Sequence, residues 1–109
     1  VVFYRDVLGL PEVSSPSTFP GAGLNVRWFL AGTRYLHLYI APEPDTRSPR
    51  HFALEVADIA EARKLLTEKG VPIRETVKIP GAERFFIADP DGNRIELIQW
   101  QDRGAIKPI

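Results

Sequence analysis

The sequence predicts an α+β protein assembled from two copies of one helix-then-hairpin unit. Three observations predict it: apolar segments that alternate with period two, an amphipathic helix punctuated at both ends, and an echo of the whole pattern along the chain. Gly9-Leu10-Pro11 returns as Gly70-Val71-Pro72. Arg27-Trp28-Phe29-Leu30-Ala31, a turn and Leu36-His37-Leu38 return as Arg84-Phe85-Phe86-Ile87-Ala88, a turn and Ile95-Glu96-Leu97. Matching positions stand 57 to 61 residues apart, so the copies differ by small loop changes. The competing reading is chance similarity of a few apolar residues.

In chain order, the first element is a helix over Val1–Leu8, with Phe3 and Val7 one turn apart and Gly9 ending it. It opens with no capping residue and no methionine, which predicts that the natural N-terminus lies upstream of Val1. Ser14 to Gly23, rich in Ser, Pro and Gly, reads as a flexible loop or as the cover of a pocket. A hairpin follows, turning at Gly32-Thr33. Its strand Arg34–Ile40 sets Leu36, Leu38 and Ile40 on one face and Tyr35, His37 and Tyr39 on the other. Thr46 to Pro49 is the linker to the second copy.

The second copy opens with a strand over Arg50–Val56, where Phe52, Leu54 and Val56 oppose His51, Ala53 and Glu55. Asp58 then caps a helix, Glu61 completes a capping box, and Ile59, Ala62, Leu65 and Leu66 form one apolar stripe. Gly70 terminates it as a left-handed cap. About three strands complete the unit; Asp89-Pro90-Asp91-Gly92-Asn93 turns between the last two, and Arg94–Gln99 divides into Ile95 and Leu97 against Arg94, Glu96 and Ile98. By the same offset, the first copy needs a strand before Val1, with a histidine on it. The boundaries are module one at 1–45, module two at 49–100 and a tail at 101–109, all within one domain.

Composition narrows the function. At 109 residues with 44% apolar and 26% charged content, the chain can bury a core and is not a disordered segment. Fourteen basic residues balance fourteen acidic ones, which argues against a nucleic-acid partner. No apolar run approaches the ~20 residues that cross a bilayer, and no signal segment opens the chain, so the expected setting is cytoplasmic with no membrane partner. Cysteine is absent, which removes disulfides, thiolate nucleophiles and Cys-ligated metals and leaves His, Asp and Glu as the strong ligands.

There are two histidines. His37 and Glu96 occupy matching places in the copies, and His51 stands on the first strand of the second. Together with an upstream histidine they make a set of nitrogen and oxygen donors suited to Fe(II), Mn(II), Ni(II), Co(II) or Zn(II). The bland reading of His37 is a surface or packing residue. Glu96, flanked by Ile95, Leu97 and Ile98, is costly to bury unpaired, so it is exposed, in a salt bridge with Arg94 as the nearest candidate, or bound to a cation. Alternation sets Tyr35, Tyr39, Phe29 and Phe86 on the ligand face, to stack on a small-molecule substrate or to pack against a partner. Arg84 and Arg27 are candidates for an anionic substrate group, against the commoner role of solvated strand-end cations.

Phe3-Tyr4-Arg5-Asp6-Val7-Leu8-Gly9-Leu10, His51-Phe52-Ala53-Leu54-Glu55-Val56 and Asp89-Pro90-Asp91-Gly92-Asn93-Arg94-Ile95-Glu96-Leu97 together resemble the vicinal oxygen chelate superfamily. Its members include glyoxalase I, extradiol dioxygenases, methylmalonyl-CoA epimerase, fosfomycin-resistance transferases and bleomycin-resistance binding proteins. The resemblance implies two βαβββ modules forming a curled mixed sheet around a cleft, commonly in a homodimer, with the first strand of module one absent here. It implies His51 and Glu96 as metal ligands, His37 at the matching last-strand position of module one, and Glu96 as the catalytic carboxylate. A divalent metal would act as Lewis acid in lyase, isomerase or dioxygenase chemistry. The competing class is a metal-free small-molecule binder of the bleomycin-resistance type. A third reading makes the sheet face a dimerisation surface alone.

Overall fold

The computed structural model describes residues 3–14, 26–39 and 50–102. The expected loop after Ser14, Ile40, the Thr46–Pro49 linker and the tail beyond Asp102 lie outside the described residues. Two compact units divide the chain, Val1–Thr46 and Arg47–Ile109. Each carries one small sheet.

In the first unit, Phe3–Val7 forms a π-helical turn where an ordinary α-helix was expected. The Leu8 amide donates to the Phe3 carbonyl at 3.0 Å, one residue further back than an α-helix allows. Gly9, at φ 72°, reverses the chain so that the Leu10 amide returns to the Tyr4 carbonyl at 3.0 Å. With its carbonyls used this way, the turn stops after five residues and directs Phe3 and Tyr4 inward, both buried. The Tyr4 ring meets Phe29, which is fully buried, at 5.8 Å.

A three-stranded antiparallel sheet follows, in the order β1 (Glu12–Val13), β2 (Val26–Ala31), β3 (Arg34–Tyr39). The short β1 supplies the third strand of the first βαβββ module's sheet, at a position that side-chain alternation alone does not mark. Ala31 pairs with Arg34 across the two-residue loop Gly32-Thr33, with Gly32 at φ 63° supplying the left-handed residue that a tight hairpin needs. That loop length fixes the register: Trp28 faces His37, and Phe29 faces Leu36.

The second unit holds β4 (His51–Glu55), α1 (Ile59–Glu68), β5 (Ala82–Ala88) and β6 (Arg94–Trp100), with strand order β4-β6-β5. β4 runs parallel to β6, the connection that a crossing helix permits, and β5 is antiparallel to β6. Asp58 accepts the Glu61 amide at 3.1 Å, and Gly70 closes the helix at φ 77°. Of the three strands expected after the helix, two form; the third is reduced to a single bridge between Arg74 and Phe86. Pro72, with no N–H to donate, limits pairing on that segment.

Strand alternation gives this sheet two unlike faces. Phe85, Ile87, Ile95 and Leu97 are buried on one, the side on which α1 lies. The Arg63 guanidinium covers the Phe85 ring at 4.8 Å, and the first helical amide, of Ile59, donates to Gln99 Oε1 at 2.9 Å. Ile59 and Leu66 face the core; Leu65, expected in the same stripe, is 45% exposed, so the buried stripe is narrower than the spacing suggested. Each large apolar side chain buried here stabilises by roughly 1.5–3 kcal/mol. The opposite face carries His51, Arg84, Phe86, Arg94 and Glu96. Among the described residues no helix is long and apolar enough to cross a membrane.

Candidate functional site

The site is built by cross-strand register. His51 lies opposite Arg94, Ala53 opposite Glu96, and Phe86 opposite Glu96 on the other side, so all of these share the face away from α1. His51 Nε2 stands 3.0 Å from Glu96 Oε1. The Glu96 side chain is 9% exposed and that of His51 31%, so the carboxylate lies in the sheet surface with the imidazole over its open edge.

The second carboxylate oxygen has a cation beside it. Arg84 Nη1 lies 3.7 Å from Glu96 Oε2, and Arg84 Nη2 donates to the Val77 carbonyl at 3.2 Å. The pairing considered between Arg94 and Glu96 is replaced by this one, because Arg84 stands across the strand pair from Glu96 while the Arg94 guanidinium turns onto the Phe86 ring, 5.2 Å from its centroid. Arg84 Nε is buried without a hydrogen-bond partner. Phe86 is the hub of the face: His51 meets its ring edge-to-face at 4.8 Å, and Arg84 lies 5.8 Å from its centroid.

The first unit presents a separate aromatic face. His37 stacks on Trp28 with centroids 4.6 Å apart and planes at 17°, and Trp28 meets Tyr35 edge-on at 6.0 Å. Tyr35 and Tyr39 share this face and are each 62% exposed. Phe29 does not share it. The register puts Phe29 with Leu36 on the opposite face, buried against Tyr4, and Trp28 takes the position expected of it. Arg27 is tied to Glu12 at 2.6 Å within the unit.

His51 and Glu96 are thus the donors brought together. Among the described residues no third His, Asp or Glu joins them. An imidazole nitrogen and a carboxylate oxygen converging on one point, neither used as a sheet hydrogen-bond partner, can share a divalent cation or exchange a proton. Trp28 is the residue of these faces that the sequence alternation leaves out; period-two counting carried across the two-residue loop at Gly32-Thr33 places it beside His37.

Comparison with known proteins agrees with this architecture. A lactoylglutathione lyase from Salmonella typhimurium is 29% identical over 95% of this chain and 84% of its own length. Among solved structures, a glyoxalase family protein from Bacillus anthracis matches with TM-score 0.81 and 26% identity over 91% of this chain and 80% of its own. A lactoylglutathione lyase from Agrobacterium tumefaciens matches with TM-score 0.66 and 27% identity, covering 90% and 81%. A fosfomycin resistance protein from Listeria monocytogenes shares the fold at TM-score 0.73 and 15% identity, covering 95% and 83%. The family model described as Glyoxalase/Bleomycin resistance protein/Dioxygenase superfamily matches residues 1–97. With that match over most of its length and the α+β architecture of these neighbours, the chain belongs to the Glyoxalase/Bleomycin resistance protein/Dioxygenase superfamily.

Proposed function

We propose that the chain is a small metal-dependent enzyme acting on a substrate with vicinal oxygens, of the lyase or isomerase type that its lactoylglutathione lyase relatives favour. The observation that carries the reading is the 3.0 Å approach of His51 Nε2 to Glu96 Oε1 on a buried carboxylate. These two donors fit Fe(II), Mn(II), Ni(II), Co(II) or Zn(II), all of which accept mixed imidazole and carboxylate ligation. A cation held there would polarise the substrate oxygens as a Lewis acid. Glu96 doubles as the catalytic carboxylate, Arg84 holds it in place through Oε2, and Phe86 shields the imidazole edge from water.

A second reading has its own support. The Arg84 guanidinium at 3.7 Å gives the buried Glu96 a counter-charge without any metal, as a small-molecule binder of the bleomycin-resistance type would require. Elemental analysis separates the two. Dialysed full-length protein is expected to carry near-stoichiometric metal, and His51→Ala is expected to lose it. No metal in either after reconstitution with each of the five cations overturns the enzyme reading in favour of the binder.

A further inference from the structure

Beside the His51–Glu96 pair lies a cleft of about 570 Å³, formed within the second unit between the Arg74 bridge segment, the end of β5 and the β5–β6 turn. Pro72, Ile73, Phe86 and Pro90 give it apolar wall, and Arg74 and Arg94 are part of its lining. Within the second unit the ion pairs set these two apart from Arg63 and Arg84. Arg5, Arg27, Arg63 and Arg84 each have a carboxylate partner, in Asp6, Glu12, Glu75 and Glu96. Among the described residues Arg74 and Arg94 have none; Arg94 rests on the Phe86 ring, and Arg74 is exposed. The one acid in the lining, Asp89, is spent internally. Its Oδ1 accepts the Asp91 and Asn93 amides at 3.0 and 2.8 Å, and its Oδ2 accepts Asn93 Nδ2 at 2.8 Å.

We infer that this cleft is a subsite for the carboxylate of an organic anion, with Arg74 and Arg94 as its recognition residues. Guanidinium forks match the planar carboxylate in geometry and charge, and the wall of Pro72, Ile73, Phe86 and Pro90 takes the carbon body attached to it. Phe86 connects the subsite to the candidate metal pair, since the same ring lies 5.2 Å from the Arg94 guanidinium and 4.8 Å from the His51 ring. The substrate class is therefore a carboxylic acid whose carboxylate enters the cleft while its vicinal oxygens face His51 and Glu96. This assignment of substrate class rests on the enzyme reading above; the anion subsite itself stands on the cleft.

The test is a titration of the full chain, isotopically labelled, with benzoate and with its neutral counterpart benzamide, followed by amide chemical shifts. Benzoate is expected to shift the amides of Arg74, Phe86, Gly92 and Arg94, and benzamide to bind at least tenfold more weakly. Arg74→Gln and Arg94→Gln are each expected to weaken benzoate about tenfold, the size of a lost hydrogen bond to a charged group, while leaving metal content unchanged. His51→Ala reports the other way, losing metal and keeping benzoate. Equal binding of benzoate and benzamide, or unchanged benzoate affinity in the Arg74→Gln/Arg94→Gln double variant, overturns the subsite whatever the metal analysis shows.

Discussion

His51 and Glu96, 45 residues apart in the chain, meet at 3.0 Å because β4 and β6 run side by side in parallel with Ala53 opposite Glu96. The helix α1 makes that pairing possible by carrying the chain back to the starting edge of the sheet. Glu96 is therefore held by three strands at once: its own, that of His51, and that of Arg84.

Removing the charge of Glu96 should cost stability through Arg84. The Arg84 side chain is 17% exposed, so Glu96→Gln leaves a largely buried guanidinium facing a neutral group, at a cost of about 1–3 kcal/mol. Arg84→Gln should cost a similar amount, and the double variant less than the sum, because neither ion then stands alone. Urea unfolding of the four proteins checks this; additive costs would show that the 3.7 Å pair is not energetically coupled.

Asp89 is the anchor of the β5–β6 turn. Three donors converge on its buried carboxylate, two of them backbone amides that have no other partner of this kind in the turn. Asp89→Ala should destabilise by roughly 1–3 kcal/mol, and Asp89→Asn by less, since the amide oxygen still accepts. Hydrogen exchange at the Asn93 amide should accelerate in the alanine variant; unchanged protection there would mean that the turn is held by its backbone alone.

How far the site was legible follows from what alternation fixes. Within one strand, period two sets which residues share a face, so His51 with Glu55, and Arg94 with Glu96 and Ile98, were correctly grouped from the sequence. Across strands the grouping depends on loop length. Alternation alone sets Phe29 on the face of His37, whereas the two-residue loop at Gly32-Thr33 pairs it with Leu36 and turns it into the core. The partner of Glu96 is hidden for the same reason: Arg94 is the nearest candidate in sequence, but the β5–β6 register brings Arg84 across to the carboxylate. The α-helix at Val1–Leu8 failed on a different ground. Its side-chain spacing is helical, but with Gly9 reversing the chain at once the backbone closes the wider turn.

Acid should destabilise the first unit through Glu12. Hydrogen bonding to Arg27 holds the Glu12 carboxyl below its ordinary value of 4.5, with the charges of Arg27 and Arg5 acting in the same direction against the opposing effect of desolvation. Because the folded value is the lower one, its stabilisation is fully present above the unfolded value and disappears as pH falls through the folded one. Glu12→Gln should therefore lower stability at neutral pH and flatten the acid limb of the wild-type profile below about pH 4.5. Thermal midpoints from pH 2 to 7 measure it; parallel profiles for the two proteins would show that the Arg27 contact has no linkage to folding.

His37 is held by aromatic stacking on Trp28, 4.6 Å between centroids, and this separates two roles that one alanine substitution would confuse. An aromatic pair of this kind contributes about 0.5–1.5 kcal/mol beyond its buried area. His37→Phe keeps a ring on Trp28 and should retain the wild-type unfolding midpoint, whereas His37→Ala should lose about that amount and shift the Trp fluorescence on exposure of the indole face. Neither imidazole donor survives in either variant. Metal analysis of His37→Phe then reads ligation alone: retained metal assigns His37 to packing, and lost metal at unchanged stability assigns it to metal binding. The unfolding measurement fails independently, since a destabilised His37→Phe would mean that the imidazole nitrogens, not the ring face, hold β3 against β2.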